Sequence, residues 1–115
     1  MDNAKTNAEL HQEKLRLKKS ISRIQNAIKG INESIVVALE GINAINEAKA
    51  KNEAKANLKS AEEELNTRLD RFNNLHLQLT NKKNIHEQGL EMYESRLAQI
   101  EKTLELDEQI SNLQD

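Results

Sequence analysis

The chain has 115 residues, a formal net charge of −2, and no Cys, Pro or Trp. This length suits one domain, and a composition rich in Ala, Leu, Ile, Glu, Lys, Asn and Gln favours an all-α fold. The absence of Cys excludes disulfide scaffolds, thiolate catalysis and zinc sites with Cys ligands.

The first predicted helix runs from about residue 6 to residue 56. Thr6-Asn7-Ala8-Glu9 has the pattern of a capping box, in which the Thr6 hydroxyl accepts a backbone N–H and Glu9 reaches back. Further along, apolar residues recur at alternating steps of four and three, which is typical of a coiled-coil seam. The residues of this seam are Leu17, Ile21, Ile24, Ile28, Ile31, Ile35, Ala38, Ile42 and Ile45. The isoleucines at 21, 28, 35 and 42 are taken as heptad position a.

A turn is predicted near Asn57. Residues 46 to 57 lack large apolar side chains, and Ser60-Ala61-Glu62-Glu63 repeats the capping-box pattern. We therefore place the second helix at about residues 60 to 113. An alternative is that the Ala-rich stretch continues as one helix, because neither Gly nor Pro marks the turn.

The second helix repeats the four-and-three spacing, with three polar residues in its seam. The seam consists of Leu65, Leu69, Phe72, His76, Leu79, Lys83, His86, Leu90, Tyr93, Leu97, Ile100 and Leu104. Beyond it the apolar residues move to Leu106, Ile110 and Leu113, which predicts that the buried face rotates. Residues 81 to 89 are the weakest helical stretch, and a break there would give three helices.

The two seams are expected to face each other in a long-helix antiparallel coiled-coil hairpin, one domain covering residues 1–115. A fold about Asn57 places Ile42 opposite Phe72, Ile24 opposite Leu90, Leu17 opposite Leu97 and Leu10 opposite Leu104. The charge pattern favours the same orientation. Six basic residues and no acidic one lie between Lys14 and Lys29, whereas seven acidic residues lie between Glu87 and Glu108.

Apolar residues outside the seams indicate a further neighbour, because they extend too far round each helix for one partner to cover. We expect a homo-oligomer, a dimer that forms a multi-helix bundle, or a protein partner that supplies the missing helices by helix–helix packing. The predicted interface residues are Ile28, Ile31, Ile35, Val36, Leu39 and Ile42 on the first helix, with Leu75, Leu79, Ile85 and Leu90 on the second.

Neither catalysis nor cofactor binding is predicted, and no metal site is expected. His76 and His86 are ten residues apart, about 15 Å along a helix, so they cannot share one metal ion. Nucleic acid is not an expected partner, because the basic run has no aromatic residue for base stacking. The longest apolar run, Ile35–Leu39, is far short of the roughly 20 residues of a membrane span. No signal peptide is recognised, which makes the cytoplasm the default expectation.

These patterns predict a non-enzymatic helical protein-interaction module, such as an adaptor, a chaperone or an assembly subunit. One alternative is a structural rod or stalk, built as a parallel helical oligomer from one nearly continuous helix. Another is a small helical substrate or partner of a bacterial secretion system. The Trp-x-Gly turn of such exported hairpins is absent, since the chain has no Trp.

Overall fold

A computed structural model describes residues 5–55 and 59–114, with residues 54 and 55 described by their backbone only. These residues form two helices, α1 (Asn7–Lys55) and α2 (Lys59–Gln114), which pack against each other as a hairpin. The predicted all-α hairpin is therefore confirmed. Since α2 is unbroken across residues 81 to 89, the three-helix alternative is not formed. The predicted turn near Asn57 lies outside the described residues.

Helix α1 begins at the predicted capping box. The Glu9 N–H donates to Thr6 Oγ1 at 3.2 Å, and the Thr6 hydroxyl donates to Glu9 Oε1 at 3.1 Å. Helix α2 starts within one residue of the predicted position, but Ser60 is already its second residue. Ser60 is therefore not the N-cap that the second capping box predicted.

The chain divides into two compact units, which we call the terminal unit (residues 1–27 and 86–115) and the central unit (residues 28–85). Each contains part of α1 and part of α2. Their boundaries fall inside the helices, and the prediction of a single domain stays a prediction.

In the terminal unit, the core is a cluster of seam leucines around Ile100. Ile100 is 1% exposed and packs with the buried Leu10 and Leu17, while Leu97 and Leu104 cover the cluster. Leu10, Leu17, Leu97 and Leu104 are residues that the predicted layers pair, whereas Ile100 was not assigned to a layer. The helices run antiparallel here, because Glu13 contacts Arg96 whereas Ile24, further along α1, lies near Gly89, earlier in α2.

In the central unit, the seam is less completely buried. Ile31, Ala38 and Ile45 of α1 are buried, whereas the seam residues of α2 are only half-buried. Gly41 marks a close approach of the two helices. A Cβ placed on Gly41 would lie 2.6 Å from the ring of Phe72, so Gly41 leaves the space that the ring occupies.

The predicted rotation of the buried face near the C-terminus is wrong. Leu106, Ile110 and Leu113 are exposed, while the half-buried Asp107 continues the seam three residues after Leu104. Asp107, rather than Leu106, holds the next seam position, where it lines a groove together with Asn7 and His11 at the start of α1. Along α1 and α2, no stretch is both long enough and apolar enough to span a membrane.

Candidate protein-interaction surface

The ten predicted interface residues fall into two groups. The six residues that also belong to the seams are covered to a large extent within the hairpin: Ile31 is buried, and Ile28, Ile35, Ile42, Leu79 and Leu90 are half-buried. The other four are exposed, namely Val36, Leu39, Leu75 and Ile85. Only this second group exposes a large fraction of each residue, from 42% to 68%. The assignment of all ten to an interface stays a prediction.

A groove of about 400 Å³ lies on one flank of the central unit. We call it the Val37 groove, and its lining residues are Gly30, Glu33, Ser34, Val37, Leu75 and Leu79. Val37 and Leu75 are exposed side chains on its two sides. A Cβ added to Gly30 would meet no atom within 4 Å, so the groove is open at this position.

The sequence of α1 explains why a groove forms on this flank. Gly30, Ser34 and Val37 follow each other at steps of four and three, so they lie on one face of the helix beside the seam. Two of the three are small and do not fill the space next to the helix backbone. Leu75 comes directly before the half-buried His76, so it projects from the edge of the α2 seam.

In the part of the central unit that contains the Val37 groove, charge is divided between the two helices. From Ile28 to Ala48, α1 has one basic residue, Lys29, and three acidic residues, Glu33, Glu40 and Glu47, a net charge of −2. The three glutamates are spaced by seven, so they follow one line along the helix.

From Arg68 to Ile85, α2 has four basic residues and one acidic residue, a net charge of +3. These residues are Arg68, Asp70, Arg71, Lys82 and Lys83. Over these two stretches, which include the lining of the Val37 groove, α1 is therefore acidic and α2 is basic, although Arg68 already has a partner in Glu64, whose Oε1 lies 2.7 Å from its Nη2.

In the terminal unit, an ion pair spans the corresponding flank. Glu13 and Ser34 each lie one residue before an a position of α1, and Arg96 and Leu75 lie one residue before the equivalent seam residues Leu97 and His76 of α2. All four therefore hold heptad position g. Arg96 donates from Nε to Glu13 Oε1 at 2.7 Å and from Nη2 to Oε2 at 3.1 Å, and Lys5 Nζ lies 2.6 Å from Oε2. Hydrogen bonds from Arg96, and next from Lys5, lower the pKa of Glu13 from 4.5 to about 2. The hydrogen bond to Glu13 raises the pKa of Arg96.

Sequence reasoning missed this ion pair. The predicted complementarity paired a basic stretch of α1 with an acidic stretch of α2, and Lys14 Nζ and Glu101 Oε1 do lie 3.8 Å apart. The closer contact has the opposite sense, with the acid on α1 and the base on α2. Glu13 lies just outside the basic stretch, and Arg96 is one of the two cations within the acidic one. The sequence feature that identifies the Glu13–Arg96 pair is that both residues hold position g, and g positions face each other in an antiparallel pair of helices.

A second, polar groove of about 510 Å³ lies in the terminal unit between the start of α1 and the end of α2. Its lining includes His11, Lys14, Glu101, Asp107 and Glu108. Among the described residues, no group of three or more His, Asp or Glu side chains is placed to hold a metal ion.

Comparisons of the chain with protein-family models, with curated proteins and with solved structures gave no match.

Proposed function

We propose that the protein is a non-enzymatic helical interaction module, acting as an adaptor, chaperone or assembly subunit. It binds protein partners by packing exposed apolar side chains of its hairpin against further helices. The observation that carries this proposal is the set of large apolar residues left exposed on the central unit. They are Val36, Val37, Leu39, Leu75, Leu77 and Ile85.

The surface area of the chain supports the same proposal. The accessible surface is 8891 Å² for a mass of 13.1 kDa. A compact monomer of that mass exposes about 6,400 Å², which leaves an excess of about 2,500 Å². A protein–protein interface of standard size buries about 800 Å² on each partner. The chain therefore has ample surface for covering by another protein.

The small core gives a thermodynamic reason for such covering. Only seven apolar residues of the described chain are buried. Each large apolar side chain that a partner buries completely contributes about 1.5–3 kcal/mol. Covering a few exposed side chains would thus add appreciably to a stability that is marginal in most domains.

The alternative roles make different demands on the fold. A rod of one continuous helix would keep Glu13 and Arg96 far apart, whereas their side chains are in contact although 83 positions separate them in the sequence. This contact favours the hairpin module over the rod. A role as a substrate or partner of a bacterial secretion system stays an alternative, and it too would act through helix packing.

The test compares two variants that place the same new charge on matched sites. Val37 is 62% exposed and Leu15 is 61% exposed, both in the interior of α1. We expect Val37→Asp to abolish capture of protein partners, including further copies of the chain, because it places a carboxylate in the groove. Leu15→Asp should leave capture intact. Crosslinking of the whole chain, followed by mass spectrometry of every crosslinked protein, measures the outcome.

Circular dichroism should give the same helix content for both variants, which controls for folding. Two results would contradict the proposal. One is that neither the purified chain nor the chain in a cell extract crosslinks to any protein above the level of an unrelated helical control. The other is that Val37→Asp and Leu15→Asp reduce crosslinking equally.

A further inference from the structure

We infer that the Val37 groove is the contact surface of a symmetric homodimer, in which α1 of one copy packs beside α2 of the other. The product is a four-helix bundle over the central units. This inference rests on the proposed function and commits to a second copy of the chain as the partner.

The groove and the side chains that would fill it belong to the same patch. Gly30 and Ser34 leave open space beside α1, while Val37 and Leu75 project from the same flank. A two-fold axis places the same patch on both copies, so it must complement itself. Here Leu75 of α2 in one copy fills the space beside Gly30 of α1 in the other, and the reverse contact forms at the same time.

Charge decides which helices become neighbours. If α1 packed beside α1 of the second copy, the line of Glu33, Glu40 and Glu47 would approach the same three acids. If α1 packs beside α2 of the second copy, the stretch from Ile28 to Ala48, with net charge −2, meets the stretch from Arg68 to Ile85, with net charge +3. Exposed pairs of opposite charge contribute only about 0.2–1 kcal/mol each. Their main effect is to exclude the arrangement in which like charges meet.

The size of the flank suits a dimer. A face 20 residues long and two helices wide measures about 30 Å by 20 Å, roughly 600 Å², at 1.5 Å per residue and 10 Å per helix. This is comparable with the roughly 800 Å² that each partner contributes to a standard interface. The central unit alone therefore provides enough surface.

The terminal unit is a poorer candidate for this contact. Its corresponding flank carries Glu13 and Arg96, which satisfy each other, together with Arg16 and Arg23 at the positions equivalent to Gly30 and Val37. Arg16 and Arg23 thus place long charged side chains at positions equivalent to the one that Gly30 leaves open. On this flank of α1, the small residues Gly30 and Ser34, which permit close approach of another helix, lie in the central unit.

The first experiment measures the mass of the purified full chain by light scattering and sedimentation over about 1–500 µM, which covers dissociation constants for weak and moderate dimers. We expect the wild type to reach twice the 13.1 kDa of one chain. Val37→Asp should raise the dissociation constant at least tenfold, whereas Leu15→Asp should leave it unchanged. Equal constants for the two variants would contradict the assignment of the groove.

A charge exchange then tests the pairing of helices. The double variants Glu33→Lys/Glu40→Lys and Arg68→Glu/Arg71→Glu should each dimerise at least tenfold more weakly than the wild type, because each sets like charges against each other. Mixed in equal amounts, they should form a heterodimer with affinity near that of the wild type, since α1 and α2 again meet with opposite charge. Stronger dimerisation of Glu33→Lys/Glu40→Lys alone would overturn this arrangement in favour of α1 beside α1.

The homodimer and the proposed function fail in different ways. A wild type that stays monomeric at every concentration overturns the homodimer. If that monomer still crosslinks to another protein, and Val37→Asp abolishes the crosslink, the interaction module stands with a different partner. If it crosslinks to nothing, both fail.

Discussion

The two units of the hairpin have different kinds of residue at heptad position g. In the terminal unit, Glu13 and Arg96 form a bidentate ion pair across the flank. In the central unit, Ser34 and Leu75 line an open groove. The difference shows that one seam pattern supports both a flank that the chain satisfies itself and a flank that leaves apolar surface for another helix.

The cores of the two units also differ, in how completely the residues of α2 are buried. In the terminal unit, Ile100 of α2 is buried between Leu10 and Leu17 of α1. In the central unit, α1 supplies the buried residues and the facing residues of α2 stay half-buried. Truncating a buried core side chain of α2 in the terminal unit should therefore lower the free energy of unfolding more than truncating an exposed side chain of the same helix.

The largest effect is expected from Ile100→Ala. Ile100 is 1% exposed, so its truncation leaves a cavity between Leu10 and Leu17. We predict that it lowers the free energy of unfolding by about 2–5 kcal/mol, measured by urea denaturation at fixed protein concentration. The matched control is Ile110→Ala, 54% exposed on the same helix, which should change it by less than about 0.5 kcal/mol. Similar losses for both variants would remove the distinction between core and surface of α2.

An intermediate effect is expected from filling the space at Gly41. The new methyl group of Gly41→Ala would clash with the Phe72 ring, which must move. Overpacking of this kind costs about 1–3 kcal/mol, which exceeds or cancels the gain of about 0.5–1 kcal/mol in helix propensity.

The control for Gly41 is Gly30→Ala, which meets no neighbour and should stabilise the hairpin by about 0.5–1 kcal/mol. The comparison uses thermal unfolding at a concentration low enough to keep each variant monomeric, because Gly30 lines the proposed dimer groove. Combining Gly41→Ala with Phe72→Leu should recover part of the loss. If Gly41→Ala and Gly30→Ala stabilised the hairpin equally, the Phe72 ring would move aside without a cost in free energy.

The smallest effect is expected from Glu13→Gln, and it depends on pH. The pKa of Glu13 is lowered in the folded chain from 4.5 to about 2, so its ionisation favours folding above pH 4.5. This contribution disappears as the pH falls from 4.5 through 2. We therefore predict that Glu13→Gln lowers the melting temperature at pH 7, and that the difference from the wild type shrinks towards pH 2.

Glu9→Gln provides the control for Glu13, because Glu9 lies one turn earlier on α1 and contacts neither Arg96 nor Lys5. Its effect should not follow the same pH curve. A constant difference between Glu13→Gln and the wild type from pH 7 to pH 2 would rule out the ion pair as the source of the effect.

Much of the fold followed from local patterns. The regular spacing from Leu17 to Ile45 predicted a helix with one apolar edge, and the described seam residues along it are buried or half-buried. The repeated spacing on α2 predicted its partner, and the antiparallel pairing of Leu17 with Leu97 agrees with the terminal core. These predictions succeeded because a heptad repeat needs only the residues of one turn and the next to define a face.

For the candidate surface, the sequence located apolar residues outside the seam but did not separate those that the hairpin covers from those that it leaves exposed. Ile31 and Val36 were grouped in one interface, yet Ile31 is buried and Val36 is exposed. The open space at Gly30 and the filled space at Gly41 also look alike in the sequence. Each depends on which side chain of α2 arrives opposite, and Phe72 arrives only at Gly41.

By itself, the sequence determined the two helices, their apolar edges and the cap of α1 at Thr6, because spacing and capping act within a few residues of one segment. The tertiary structure decided the Glu13–Arg96 pair, the clearance at Gly41 and the open Val37 groove, because each needs two side chains from different helices at the same level. Register and rotation between α1 and α2 set those meetings. Register and rotation depend on how both helices pack together, so the residue pattern of one helix is not enough to define them.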